Sequence, residues 1–180
     1  RSLVGSEMCI RDRPYTGYPC FSAPDEFPIA LQNAGFDLFL TANNHCLDRY
    51  TRGAIRTLHI LDSIGADHIG TYDSKDSFER FYPFITSIKG IRIAFLNYTY
   101  GTNGFTPHSP LIVNYIDEEK IKKDIFRAKT LSADLIVACL HWGDEYQLLP
   151  NKRQEDLADF LAKEGVQLII GAHPHVIQTM

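Results

Sequence analysis

The 180-residue sequence predicts an α/β fold with parallel strands buried on both faces. Three stretches carry that expectation: GFDLFLTANNH (35–45), SADLIVACLHWG (132–143) and GVQLIIGAHPH (165–175). Each follows a helix-like segment, runs through a short apolar strand and finishes on Asn or His. Wholly apolar strands alternating with helices fit the covered interior of a parallel sheet better than a strand with one wet face.

The elements follow in order. Residues 14–28 are rich in Pro, Gly, Tyr and Ser and read as a surface connection. A short helix is expected over Glu26 to Asn33, stopped by Gly35, then a strand over Phe36 to Ala42. Arg52 to Ile64 carries Ile55, Leu58, His59 and Leu61 at helical spacing and ends at Gly65. A strand and turn follow at His68 to Tyr72. Phe84 to Ile88 and Ile91 to Tyr98 flank Lys89-Gly90 as a hairpin, and 101–110 is a loop. Asp117 to Leu131 is amphipathic, with Ile121, Ile125, Ala128 and Leu131 on one face and Lys120, Lys122, Lys123, Asp124 and Lys129 solvated. Leu135 to Leu140 is a strand, Lys152 to Lys163 a helix and Val166 to Ile170 a final strand.

Composition limits the function. At 44% hydrophobic and 22% charged residues, the chain suits one globular domain. A formal charge of −4 and a pI near 6.0 argue against nucleic acid as partner. An anionic substrate would need placed cations or a metal. No apolar stretch reaches the roughly 18 residues of a membrane span, and no signal-peptide pattern is visible. Cys9, Cys20, Cys46 and Cys139 lack CxxC spacing and read as buried or incidental thiols. Cys46 stands out because it lies inside the first Asn/His motif.

The start departs from the rest. Residues 3–12, LVGSEMCIRD, resemble a translated sequencing-library adapter. The expectation is a non-native tail over 1–13 and a partial domain over 14–180, with an ordinary N-terminal tail as the alternative.

In open α/β sheets, ligand sites gather beyond the carboxyl ends of the strands. Asn43, Asn44 and His45, then His141, then His173 and His175 are all expected there. A single strand-end His is an ordinary rim residue. Four histidines and two amides at three equivalent strand ends point to a metal. Imidazole and amide oxygen suit Mn²⁺, Zn²⁺ or Fe²⁺, and the absence of paired thiolates argues against structural zinc. In GAHPH, two imidazoles separated by one residue can reach two neighbouring ions, with Gly171 and Ala172 leaving room for the backbone. Glu145, four residues after His141, reads either as a contact to substrate or as a loop salt bridge. Trp142 reads as packing or as a recognition surface. Asp37 and Asp134 read as turn residues, His59 and His68 as structural, and Asn97 and Tyr98 as candidates to line the cleft.

These motifs resemble the calcineurin-like metallophosphoesterase superfamily, with its Asn-His pair, lone strand-end His and Gly-x-His-x-His. More closely, ANNHCLD, HWGDEY and GAHPHVIQ resemble the capsule-biosynthesis branch, the CapA family of poly-γ-glutamate synthesis proteins, over residues 27–178. The resemblance implies a metallophosphoesterase-type α/β sandwich, truncated here at both ends. It implies that Asn44, His141 and His173 ligate one metal and His175 the other, two divalent ions (Mn, Fe or Zn) being expected in the full-length fold. It places His45 beside the reacting oxygen as proton donor or charge stabiliser, with Asp48 orienting its ring; Asn43 and Glu145 would contact substrate. The acidic residue usual after this His is Cys46 here, and the expected bridging carboxylate lies upstream of the motifs present. At most one metal is therefore expected to bind well to this chain. The implied function is a metal-dependent hydrolase-like domain in synthesis or release of an anionic polymer, extracytoplasmic and membrane-tethered by analogy, with a membrane capsule-synthesis complex as partner. The alternatives are a non-catalytic polymer-binding or export scaffold and a generic phosphodiesterase.

Overall fold

The structure is a computed structural model that describes residues 2–5 and 15–179. The rest of the adapter-like stretch, with Cys9, lies outside the described residues. Elements run in the order β1 (Ser2–Gly5), α1 (Glu26–Asn33), β2 (Phe36–Leu40), α2 (Tyr50–Ser63), β3 (Asp67–Ile69), β4 (Thr71–Tyr72), α3 (Lys75–Phe81), β5 (Phe84–Ile88), β6 (Ile91–Thr99), β7 (Ile112–Val113), α4 (Glu118–Thr130), β8 (Leu135–His141), α5 (Lys152–Lys163) and β9 (Leu168–Ala172). They fall into two compact units, residues 1–81 with 101–114, and residues 82–100 with 115–180.

In the first unit, β1, β2 and β3 form a parallel sheet in that order, with Leu40 opposite Ile69. Backbone groups make such pairing, so Ser2–Gly5 can dock on β2 whatever the origin of its sequence. Phe39, Leu61 and Ala66 form a core cluster, joined by Leu31, Phe36 and Ile64. Helix α2 buries Ala54, Thr57, Leu58 and Leu61, an i, i+3, i+4, i+7 stripe. Leu58 and Leu61 lie on the buried face as predicted, whereas Ile55 is half-buried and His59 is exposed, 3.7 Å from Asp73. The strand and turn predicted over His68 to Tyr72 appear as β3 and β4 on either side of Gly70, whose φ of 113° breaks the ladder. The first pairs with β2 and the second, antiparallel, with β7.

The second unit holds one four-stranded sheet in the order β5-β6-β8-β9. The predicted hairpin β5–β6 is antiparallel, and its Lys89-Gly90 corner takes the two positive φ angles (53° and 85°) that a tight hairpin turn requires. The β6–β8 and β8–β9 pairs are parallel, and Thr99 lies opposite His141, which lies opposite Ala172. Strand ends therefore gather at one edge of this sheet. Helix α4 is capped by Asp117, whose side chain accepts from Lys120 N at 2.7 Å. Helix α5 opens on a capping box in which Asn151 and Gln154 exchange hydrogen bonds at 3.0 Å. Strand β9 starts two residues later than predicted because Gly165 (φ 90°) and Val166 close the end of α5.

Asp124 corrects the solvated face expected for α4. It is buried and accepts a hydrogen bond from the Tyr98 hydroxyl at 2.8 Å. Burial raises its carboxyl above the ordinary range, against the hydrogen bonds from Tyr98 and Tyr82 and the charges of Lys120 and Arg127. Tyr98 is fully buried in this contact and does not line a cleft. Leu131, expected on the apolar face, is 44% exposed at the helix end.

Candidate functional site

The first unit places Asn43, Asn44, His45 and Asp48 together in the turn that leaves β2. That turn starts from a fixed point: Thr41 donates through its hydroxyl to Ile69 O (2.8 Å) and accepts from Thr71 N (2.8 Å), holding the strand end against β3 and β4. Asn43 Oδ1 then accepts from His45 N at 2.8 Å, closing an Asx turn that fixes the His45 backbone. The sequence suggests that Asn43 contacts substrate; its amide oxygen shapes the turn.

His45 is buried, and its Nδ1 lies 2.8 Å from Asp48 Oδ2. The same oxygen accepts from Phe21 N at 2.8 Å, and the Phe21 ring meets the imidazole edge-on at 4.6 Å. A carboxylate can only accept, so the Nδ1–H tautomer is selected and Nε2 is left to exchange a proton. Asp48 Oδ1 is buried and has no hydrogen-bond partner among the described residues. Asn103, which sequence reasoning missed, places its Oδ1 3.3 Å from Asn44 Nδ2 and its Nδ2 3.4 Å from His45 Nδ1. Its local signal was the Asn103-Gly104 turn dipeptide; its partner was 58 residues away. Cys46 is buried and its thiol is pushed up to about 12 by loss of solvation, so it is neutral where the resembled superfamily carries an acid.

The second unit gathers His141, His173, His175 and Glu145. His141 and His173 are buried with ring centroids 4.9 Å apart, and His173 and His175 are 6.2 Å apart. Tyr100, also missed, packs 4.8 Å from the His173 ring and stacks over His141 at 6.3 Å. His173 and His175 both have left-handed backbone (φ 102° and 58°), the kind of strain that gathers at functional sites. Gly171 serves a different purpose from the one its sequence suggests. A Cβ there would sit 2.8 Å from Trp142 Nε1, so the glycine makes room for the indole. Trp142 lines two cavities of about 640 Å³ each, one with Tyr100, Asp144 and Arg153 and one with Ile169, Pro174 and Ile177.

These residues fit a divalent ion. Glu145, His173 and His175 each present one donor atom, and the three lie within 4.8 Å of one another. Two imidazole nitrogens and a carboxylate oxygen form a set that borderline divalent metals take readily. Among the described residues no helix is long and apolar enough to cross a membrane.

Residues 2–180 match the family model for the bacterial capsule synthesis protein PGA_cap. The capsule biosynthesis protein CapA of Bacillus anthracis is 32% identical over 168 residues, 88% of this chain and 39% of that protein. The PGA biosynthesis protein CapA of Bacillus subtilis is 30% identical over 82% of this chain and 39% of its own length. The chain thus spans about two fifths of these relatives. Among solved structures, the Haemophilus influenzae NAD nucleotidase aligns with 89% of this chain and 32% of its own at a TM-score of 0.55 and 16% identity, which shows that this chain shares the α/β fold of that region.

Proposed function

Because the chain belongs to the bacterial capsule synthesis protein PGA_cap family, we propose that it is a metal-dependent, hydrolase-like part of the apparatus that makes or releases an anionic capsular polymer such as poly-γ-glutamate. The observation that carries the hydrolase reading is the buried His45–Asp48 pair at 2.8 Å. A polymer-binding scaffold needs no imidazole oriented by a buried carboxylate; a group that must carry a proton to a leaving oxygen or nitrogen does.

The roles divide by chemistry. Asp48 holds the proton on Nδ1 of His45, Asn43 sets the turn, and Phe21 covers one side of the ring. When Nε2 has also taken up a proton, the ring is an imidazolium paired with the Asp48 carboxylate, and Nε2 gives that proton to the departing atom of a phosphoester or amide-type bond, leaving the neutral Nδ1–H ring. Asn44 offers an amide oxygen as a ligand, and the imidazoles of the second unit hold divalent metal, Mn, Fe or Zn, with two ions in the whole protein. Bound there, the metal would supply Lewis acidity. The cleft beside Trp142 is lined by three acids, Glu118, Asp144 and Asp156, against one base, Arg153. Such a lining repels a polyanion, which fits the metal as the anchor of an anionic chain. The setting is extracytoplasmic and membrane-tethered, within a capsule-synthesis complex.

The test is His45→Ala in a full-length version. Turnover of polymer or phosphoester should fall by roughly 10²–10⁴-fold while polymer binding persists. Unchanged turnover and unchanged capsule production would identify a scaffold instead.

A further inference from the structure

We propose that Asn103 is a positioning residue: its side-chain oxygen holds the NH₂ end of the Asn44 amide, so that the oxygen end of Asn44 is the one presented to a ligand. The inference rests on the reading above that Asn44 offers its amide oxygen to a divalent ion. It brings in a loop that lies outside the three strand-end motifs and belongs, like Asn44, to the first unit.

The loop is built to deliver that side chain. Asn103 and Gly104 take positive φ angles of 49° and 81°, and Phe105 N donates to Thr102 O at 2.9 Å. These are the features of a type I′ turn with an Asn-Gly corner. Thr102 is buried beneath the corner, and its hydroxyl donates to Phe105 O at 2.5 Å, so the turn is closed twice. Two further contacts fasten the loop to the start of α2. The Phe105 ring meets Tyr50 edge-on at 5.4 Å, and His108 N donates to Thr51 Oγ1 at 2.8 Å. The loop is thus pinned to the end of the same chain segment that carries Asn44, His45 and Asp48.

At the corner the Asn103 amide meets two buried residues. Its Oδ1 lies 3.3 Å from Asn44 Nδ2, and its Nδ2 lies 3.4 Å from His45 Nδ1. The first contact pairs an acceptor with a donor. The second does not, because the Nδ1 hydrogen of His45 is taken by Asp48 at 2.8 Å and a protonated ring nitrogen has no lone pair to accept with. Asn103 therefore packs against the His45 ring and bonds to Asn44. An amide carries its oxygen and its nitrogen on opposite sides of one carbon, so holding Asn44 Nδ2 turns Asn44 Oδ1 to the other side. The reverse flip of Asn44 would set two carbonyl oxygens face to face and offer N–H donors to a cation. Carbonyl oxygen is a ligand for divalent ions; an amide N–H is not. The turn alone does not account for asparagine at this corner, since glycine takes a positive φ at no steric cost. What the side chain adds is an amide directed at the site.

The test separates the turn from the amide. Asn103→Gly keeps the corner and removes the acceptor, while Asn103→Asp keeps an acceptor oxygen facing Asn44. In the full 180-residue chain without metal, nitrogen-15 NMR follows the side-chain NH₂ of Asn44. Asn103→Gly should shift that signal and speed its exchange with solvent by about tenfold. Asn103→Asp should stay near the parent, and circular dichroism should match the parent for both. Zn²⁺ alone is then titrated and read through the same Asn44 signal. Its apparent affinity should fall roughly tenfold in Asn103→Gly, as for the loss of an outer-shell partner, and recover in Asn103→Asp. An unaltered Asn44 signal or an unaltered Zn²⁺ affinity in Asn103→Gly would overturn the positioning role and leave the ligand reading standing. An Asn44 amide that responds to Asn103→Gly but ignores Zn²⁺ in the parent would overturn the ligand reading and the proposed role with it.

Discussion

In the first unit His45 meets Asp48 at 2.8 Å with both groups buried, while in the second His173 and His175 stand 4.0 and 3.9 Å from a half-exposed Glu145. The residues are of the same kind and the constructions differ. Asp48 also accepts from Phe21 N, and Asn43 fixes the His45 backbone, so the protein alone determines where that imidazole points. Around Glu145 the backbone is held and the side chains are spread. A proton donor must be oriented before the reaction, whereas metal ligands are drawn to their final distances by the ion. Under the proposed function, the two histidine groups divide the labour in that way.

The largest expected effect comes from removing a donor of the spread group. His173→Ala should weaken Zn²⁺ binding by more than the roughly 10–100-fold typical of an outer-shell partner, measured by calorimetry. The braced pair should break differently. Asp48→Ala strips acceptors from His45 Nδ1 and Phe21 N; chemical denaturation should show a loss of about 3 kcal/mol, with metal affinity unchanged.

A buried carboxylate outside both groups sharpens the contrast. Tyr98→Phe removes the donor to Asp124 and should cost about 1–3 kcal/mol. Because burial raises Asp124 in the native state, the folded chain binds that proton more tightly than the unfolded chain does. Its contribution is present below the ordinary value of 3.8 and is lost as pH rises through the higher native value. Asp124→Asn should flatten this part of the stability-versus-pH curve. The smallest effect is Gly171→Ala, which presses a methyl on Trp142 Nε1. It should cost about 1 kcal/mol and shift the fluorescence of the single tryptophan.

The strand-end motifs were legible because apolar runs and their polar stops are local. Helices α1 and α5 appear at the predicted bounds for the same reason. Asp124 is more instructive. Its spacing from Ile121, Ile125 and Ala128 places it on the buried stripe, but its charge suggested solvent; the deciding partner, Tyr98, is 26 residues away. Strands β4 and β7 are two residues each and form only through pairing of Thr71 with Val113 and Tyr72 with Ile112. Helix α3 buries none of its residues, so no apolar stripe announced it. Asn103 and the spacing of Glu145 from two imidazoles likewise depend on where distant segments meet. The identity of the reactive groups is local information, whereas whether a carboxylate is closed on a histidine or held apart from it is tertiary.

The most direct test is nitrogen-15 NMR of the histidine rings before and after Zn²⁺ is added. His45 should show the Nδ1–H tautomer in both states, while Nδ1 of His173 and Nε2 of His175 move from free to metal-bound positions. A His45 ring that interchanges tautomers in the metal-free chain, or His173 and His175 rings that ignore zinc, would contradict the account.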